Sequence, residues 1–112
     1  MKIRTEIIGN VKVITLQGDL TRDTVPGIEH FWDDAVSGKD TVLAVDFGEV
    51  NYIDSLGLSH LGKLSKYAET KKVELILYNL KEPAQKLFLI AGLDRFFKIL
   101  TKKEFDSLVG RK

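Results

Sequence analysis

A chain of 112 residues, 44% hydrophobic and 29% charged, has the composition of a soluble globular protein with room for one core, so a single domain over residues 1–112 is expected. Its 17 basic and 16 acidic residues leave a net charge of +1, which supplies no global field for nucleic acid or an anionic membrane surface. The absence of cysteine excludes disulfides and thiolate metal sites, and no apolar run approaches the ~18 residues that span a bilayer. The opening "MKIRTEIIGN" lacks the apolar segment of a signal peptide, so a cytoplasmic protein without metal or cofactor is expected.

In chain order, "KIRTEII" and "VKVITL" are strand-like runs around Gly9-Asn10, which predicts a β-hairpin. Gly18 closes the second strand and "DLTRDT" reads as a polar loop. Ile28, Phe31, Trp32, Ala35 and Val36 then follow the spacing of a helix with one buried face. Thr24 or Asp23 can cap that helix, Pro26 fits its first turn, and "SGKD" ends it. Trp32 belongs to the apolar stripe and reads as core, whereas Glu29, Asp33 and Asp34 form a solvated acidic face.

"TVLAVDF" is too short for a helix and apolar on both faces, which suits a strand covered on both sides and ending near Asp46. Asp46 can equally hold the following loop through backbone N–H groups or serve a partner. A second helix runs to about Thr70, with Leu58, Leu61, Leu64 and Ala68 inward. Gly62 within it costs ~1 kcal/mol relative to alanine, which predicts close packing on the sheet. "VELILY" is another interior strand, and "EPAQKLFLIAGL" is a helix that starts on proline and ends on a left-handed Gly92. There Phe88 and Leu89 cannot both face inward beside Leu87, Ile90 and Ala91, so one of the two is expected on the surface. "FFKIL" is a last strand; Thr101 and Glu104 form a capping box for a last helix through Phe105, Leu108 and Val109. The pattern is an α/β fold: a mixed sheet of about five strands with an N-terminal hairpin and about four helices.

Chemistry concentrates at Asp54-Ser55-Leu56-Gly57, where a buried strand gives way to a helix. Ser55 or Asp54 can serve simply as the helix cap. Three features point further. The loop lies at the carboxyl edge of a sheet, where α/β proteins build sites. Gly57 clears a side chain from the first turn, and Leu56 falls outside the core stripe. A serine hydrolase is the rival class, because a serine on a strand-to-helix turn resembles a nucleophile elbow. The G-x-S-x-G pattern fails at Ile53, and His60, five positions along the same helix, is rotated away from Ser55. His30 and His60 are both expected to be solvated surface residues. The lysine pairs 71–72 and 102–103 are too few for a nucleic-acid stripe.

The segment "LAVDFGEVNYIDSLGL", with Asp-Ser-x-Gly-Leu opening a helix, resembles the signature of STAS domains, in particular of bacterial anti-sigma factor antagonists. The resemblance extends to "VITLQGDL" and "LIAGLDRFFKIL", and thus to most of the chain. It implies a STAS fold and a non-enzymatic binding module of transcription regulation, phosphorylated at Ser55. The unmodified form would bind an anti-sigma factor that is also an ATP-binding serine kinase, freeing the sigma factor. A PP2C-type phosphatase would restore the serine. Partner contacts are implied at Asp19, Thr21, Asn51, Asp54, Leu56, Gly57 and Ser59, with neither nucleic acid nor membrane bound directly. The chain departs from many antagonists at Thr21, where they carry an acidic residue, and at Leu56, often a small residue. The alternative is a STAS subunit of a stress-sensing or transport complex in which Ser55 is only a helix cap.

Overall fold

The computed structural model describes residues 1–36, 42–95 and 97–110. β1 (Lys2–Ile8) and β2 (Val11–Gln17) form the expected hairpin, closed by the Ile8–Val11 pair with Gly9 at φ 61°. Then follow α1 (Val25–Val36), β3 (Val42–Glu49), α2 (Ser55–Thr70), β4 (Glu74–Tyr78), α3 (Glu82–Ile90), β5 (Lys98–Leu100) and α4 (Lys102–Leu108). The strands lie in chain order, β1-β2-β3-β4-β5, antiparallel at the hairpin and parallel thereafter. Every parallel step needs a crossover, and α1, α2 and α3 supply them.

Those three helices bury the larger core against one face of the sheet, through residues such as Trp32, Leu61, Leu64 and Phe88 packed on Ile14, Val45, Phe47 and Leu77. α4 covers the other face, where Phe105 stacks on Tyr78 with ring centroids 3.9 Å apart. β3 is accordingly enclosed from both sides, with Leu43, Val45 and Phe47 in one core and Ala44 in the other. It runs on to Glu49, beyond the expected end, because it continues to pair with β2 across a register shift. Asp46 does hold the turn that follows: its Oδ1 accepts the Gly48 N–H at 2.8 Å and the Asn79 amide at 3.1 Å.

The caps divide between confirmation and correction. Thr101 and Glu104 make the full capping box of α4, and Gly92, at φ 70°, follows the end of α3. Thr24 does precede α1, but its hydroxyl turns back into the loop: it accepts the Thr21 N–H and donates to the Asp19 carbonyl. The expected end of α1 at residues 37–40, Thr41, Phe96, and the side chains of His30 and Asp34 lie outside the described residues.

Assignments at Ile90, Ala91, Leu108 and Gly62 change. On α3 Phe88 is buried and Leu89 exposed, as the crowding argument allows, but Ile90 is 84% exposed and Ala91 is also outside. Ala84, Leu87 and Phe88 define the inward face, and Ile90 lies about 200° around the helix from Phe88. On α4 the seven-residue helix seats itself through Phe105 and Val109, leaving Leu108 exposed. Gly62 does not pack on the sheet: a Cβ built there meets nothing within 4 Å.

Candidate functional site

The quoted loop is built by two segments laced together. Leu20, in what reads as a polar loop, is fully buried and forms a parallel bridge with Ile53. Its N–H donates to the Tyr52 carbonyl at 2.9 Å, and its carbonyl accepts the Asp54 N–H at 3.2 Å. One further tie binds Gly18 N–H to the Glu49 carbonyl at 3.1 Å. The signal was present in the sequence, since Leu20 is a lone apolar residue two positions past the glycine that ends β2.

This lacing explains Gly57. The first turn of α2 passes so close to the Leu20 loop that a Cβ at position 57 runs into the Leu20 carbonyl, its carbon 2.8 Å away. Glycine is therefore required by contact inside the protein, and Gly57 is buried. It is not itself a surface for another molecule to touch.

Asp54 is the cap of α2. One carboxylate oxygen accepts the Gly57 N–H at 2.8 Å, and the other accepts the Arg22 N–H at 2.9 Å, across the two loops. The Arg22 and Gly57 N–H groups, in that order, hold its carboxyl below the usual value of 3.8. The carboxylate thus clamps the loop, and Ser55 is left as the first helical residue with its side chain exposed. Of the two capping candidates, Asp54 takes the role and Ser55 does not.

Around Ser55 the surface has two shallow depressions that share it as a common rim. One, of about 320 Å³, lies toward Asn51, Tyr52, Pro83 and Leu87. The other, of about 550 Å³, lies along α2 toward Ser59, Gly62, Lys63 and Lys66, with Ala91 and Leu93 across from them. Ser59 is one turn beyond Ser55 on the same helix face and is exposed. Leu56 is 44% exposed and Tyr52 60%, so apolar groups stand beside the hydroxyl. Asn51 is tied down, its side-chain oxygen accepting Lys81 Nζ at 2.6 Å. Asp19 is exposed, while Thr21 is half-buried with its hydroxyl receiving the Asp23 N–H at 3.3 Å. The structure therefore gathers Asp19, Thr21, Asp54, Ser55 and Gly57 around one pair of loops, Asn51 and Leu56 beside them and Ser59 along the helix. Tyr52, Lys63, Lys66 and Leu87 join them without having been singled out, and Leu87 does so only because the fold brings α3 beside the start of α2.

His60 corrects the sequence reading. It is only 8% exposed, and its Nε2 accepts the Trp32 indole N–H at 2.6 Å. That nitrogen is engaged with α1 and is not offered to Ser55 as a base. Among the described residues no cluster of three or more metal-ligating side chains occurs, and no helix is long and apolar enough to cross a membrane.

A parallel sheet with its hairpin edge, three crossover helices on one face, and a hydroxyl displayed at the start of the second helix define the class. The chain belongs to the STAS domain family, whose pattern it matches over residues 2–107. It is similar to the anti-sigma-B factor antagonists of Listeria monocytogenes and Listeria innocua, each 29% identical over 86 residues, or 77% of this chain and 75% of the relative. Among solved structures it resembles an anti-sigma factor antagonist from Mycobacterium paratuberculosis, with a TM-score of 0.83 at 21% identity over 96% of this chain and 92% of that one. It also resembles the anti-sigma factor antagonist SpoIIAA in its unphosphorylated form, with a TM-score of 0.69 at 22% identity, covering 96% and 97% of the two chains. The phosphorylated form of SpoIIAA, from Bacillus, gives 0.70 at 24% identity, covering 96% and 99%. At these identities the structural likeness carries the fold.

Proposed function

We propose that this protein is an anti-sigma factor antagonist whose partner binding is switched by phosphorylation of Ser55. The unmodified protein binds an anti-sigma factor that is also an ATP-binding serine kinase, and so releases a sigma factor. A PP2C-type phosphatase reverses the modification. The protein acts as a single binding domain in the cytoplasm and carries out no catalysis of its own.

The observation that carries this reading is the separation of cap from display. Asp54 caps the helix through one carboxylate oxygen and ties the Arg22 loop with the other, so the exposed Ser55 hydroxyl has no structural duty at the cap. A helix cap is the only role that the assembly-subunit reading leaves to Ser55, and that role is filled. Exposed Leu56 and Tyr52 supply apolar contact beside it, of the sort that anchors protein interfaces. The likeness to named anti-sigma factor antagonists, one solved both unphosphorylated and phosphorylated, supports the same reading.

The test is a phosphate-affinity gel of protein recovered from growing and stressed cells, coupled to a pull-down from the same lysates. A retarded band that disappears in Ser55→Ala, and capture of an ATP-binding kinase by the unretarded form only, are expected. A single unretarded band under every condition would overturn the switch.

A further inference from the structure

We infer that the Trp32–His60 contact is an acid-sensitive latch between α1 and α2. Both side chains are buried, at 4% and 8% exposure, and the indole N–H meets His60 Nε2 at 2.6 Å. An imidazole accepts at Nε2 only when neutral, with its proton on Nδ1. Protonation at Nε2 sets two N–H donors against each other between the packed helices, and both lose their partner.

The groups facing the ring come from both helices. On α1 these are Glu29 and Asp33, and on α2 Lys63 and the Tyr67 phenol, all lining the same cleft of about 250 Å³ beside Trp32 and Leu64. Burial acts most strongly and lowers the histidine below its usual 6.5, Glu29 pulls it up, and Lys63 pushes it down. Because the native state binds the proton less readily than the unfolded chain, the contribution of the neutral contact is fully present above 6.5. It is lost as pH falls from there through the lower folded value.

The contact lies where loosening reaches the site. α1 begins directly after the loop that closes over Gly57 and donates the Arg22 N–H to Asp54, and His60 sits on the helix that Asp54 caps. Opening the latch frees α1 against α2, and with it the lacing beneath Ser55. This inference is independent of whether Ser55 is phosphorylated.

Trp32 is the sole tryptophan, so its fluorescence reports the latch directly. The protein, in a His30→Gln background that leaves one histidine, is titrated between about pH 8 and pH 5 while circular dichroism confirms that it stays folded. The expected result is an emission change with a midpoint below 6.5, matched by the His60 proton resonance and absent in His60→Gln. Trp32→Phe serves as the second variant, read by the His60 resonance alone. Removing the donor that favours the neutral ring should raise the midpoint, even if His60→Gln does not fold. Constant emission across the range, or a midpoint unmoved by Trp32→Phe, overturns the latch.

Discussion

At the scale of single residues, position 57 shows how little of a signature motif has to be about the partner. Gly57 is needed because Leu20 passes over it, and its replacement by alanine forces either the loop or the helix start to move. Gly57→Ala should cost about 1–3 kcal/mol, as inserted volume does in a packed place, and urea denaturation would measure it. A cost near zero would show that the Leu20 loop yields freely. Leu56, its neighbour, is the opposite case. At 44% exposure it contributes little to the core, so Leu56→Ala should stay within about 0.5 kcal/mol of the wild type in stability. Its affinity for the proposed kinase partner should fall by at least about 1 kcal/mol in a titration, the effect of a lost anchor. Unchanged affinity with a large loss of stability would place Leu56 in the core after all.

At the scale of elements, α2 both packs the core and displays the site, and its two faces respond oppositely to substitution. Leu64 is 3% exposed and shares the main core with Ala35, Val45 and Leu61, while Phe31 and Leu75 pack against it half-buried. Leu64→Ala should therefore cost about 2–5 kcal/mol through lost burial and a cavity, and a loss under ~0.5 kcal/mol in urea would sink that packing. Gly62, on the outer side, has open space where a methyl group would go. Gly62→Ala should stabilise the protein by about 0.5–1 kcal/mol, with a higher melting temperature as the readout. The sequence reading placed Gly62 against the sheet, since a glycine in a helix looks the same whether it faces a sheet or a surface depression. Elements and most inward positions were legible because periods of 2 and 3.6 report burial directly. The site was legible only in part. Ser55, Asp54 and Leu56 are neighbours in sequence, whereas Leu20, Lys81 and Leu87 reach them through crossovers that no local pattern encodes. His60 was misread for the same reason: its partner, Trp32, is 28 residues away on another helix.

At the scale of the whole molecule, the question is whether phosphate on Ser55 rearranges the fold or changes only what the surface will bind. A phosphoserine carries about −1.5 to −2 charge at pH 7. As the first residue of α2 it stands at the positive end of the helix dipole, which favours an anion. Against that, the Asp54 carboxylate is the adjacent residue and is held ionised by its two N–H donors. Two opposed effects on an exposed side chain leave little net change, and the lacing of Leu20 to Tyr52 and Asp54 does not involve the hydroxyl. The phosphoprotein should melt within a few degrees of the unmodified protein, which is within about 1 kcal/mol for a chain of this size. Binding differs, because a partner that covers Ser55 together with Leu56 and Tyr52 must desolvate the phosphate. An unpaired charge buried at an interface costs ~2–5 kcal/mol, or roughly thirty-fold to several thousand-fold in affinity. Ser55→Ala should keep the unmodified affinity and escape the kinase, while the phosphoprotein loses binding without losing its fold. Calorimetric melting and a titration on the same phosphorylated sample decide it. A phosphoprotein that melts far lower places the switch in the fold, and one that binds as tightly as the unmodified form removes the switch altogether.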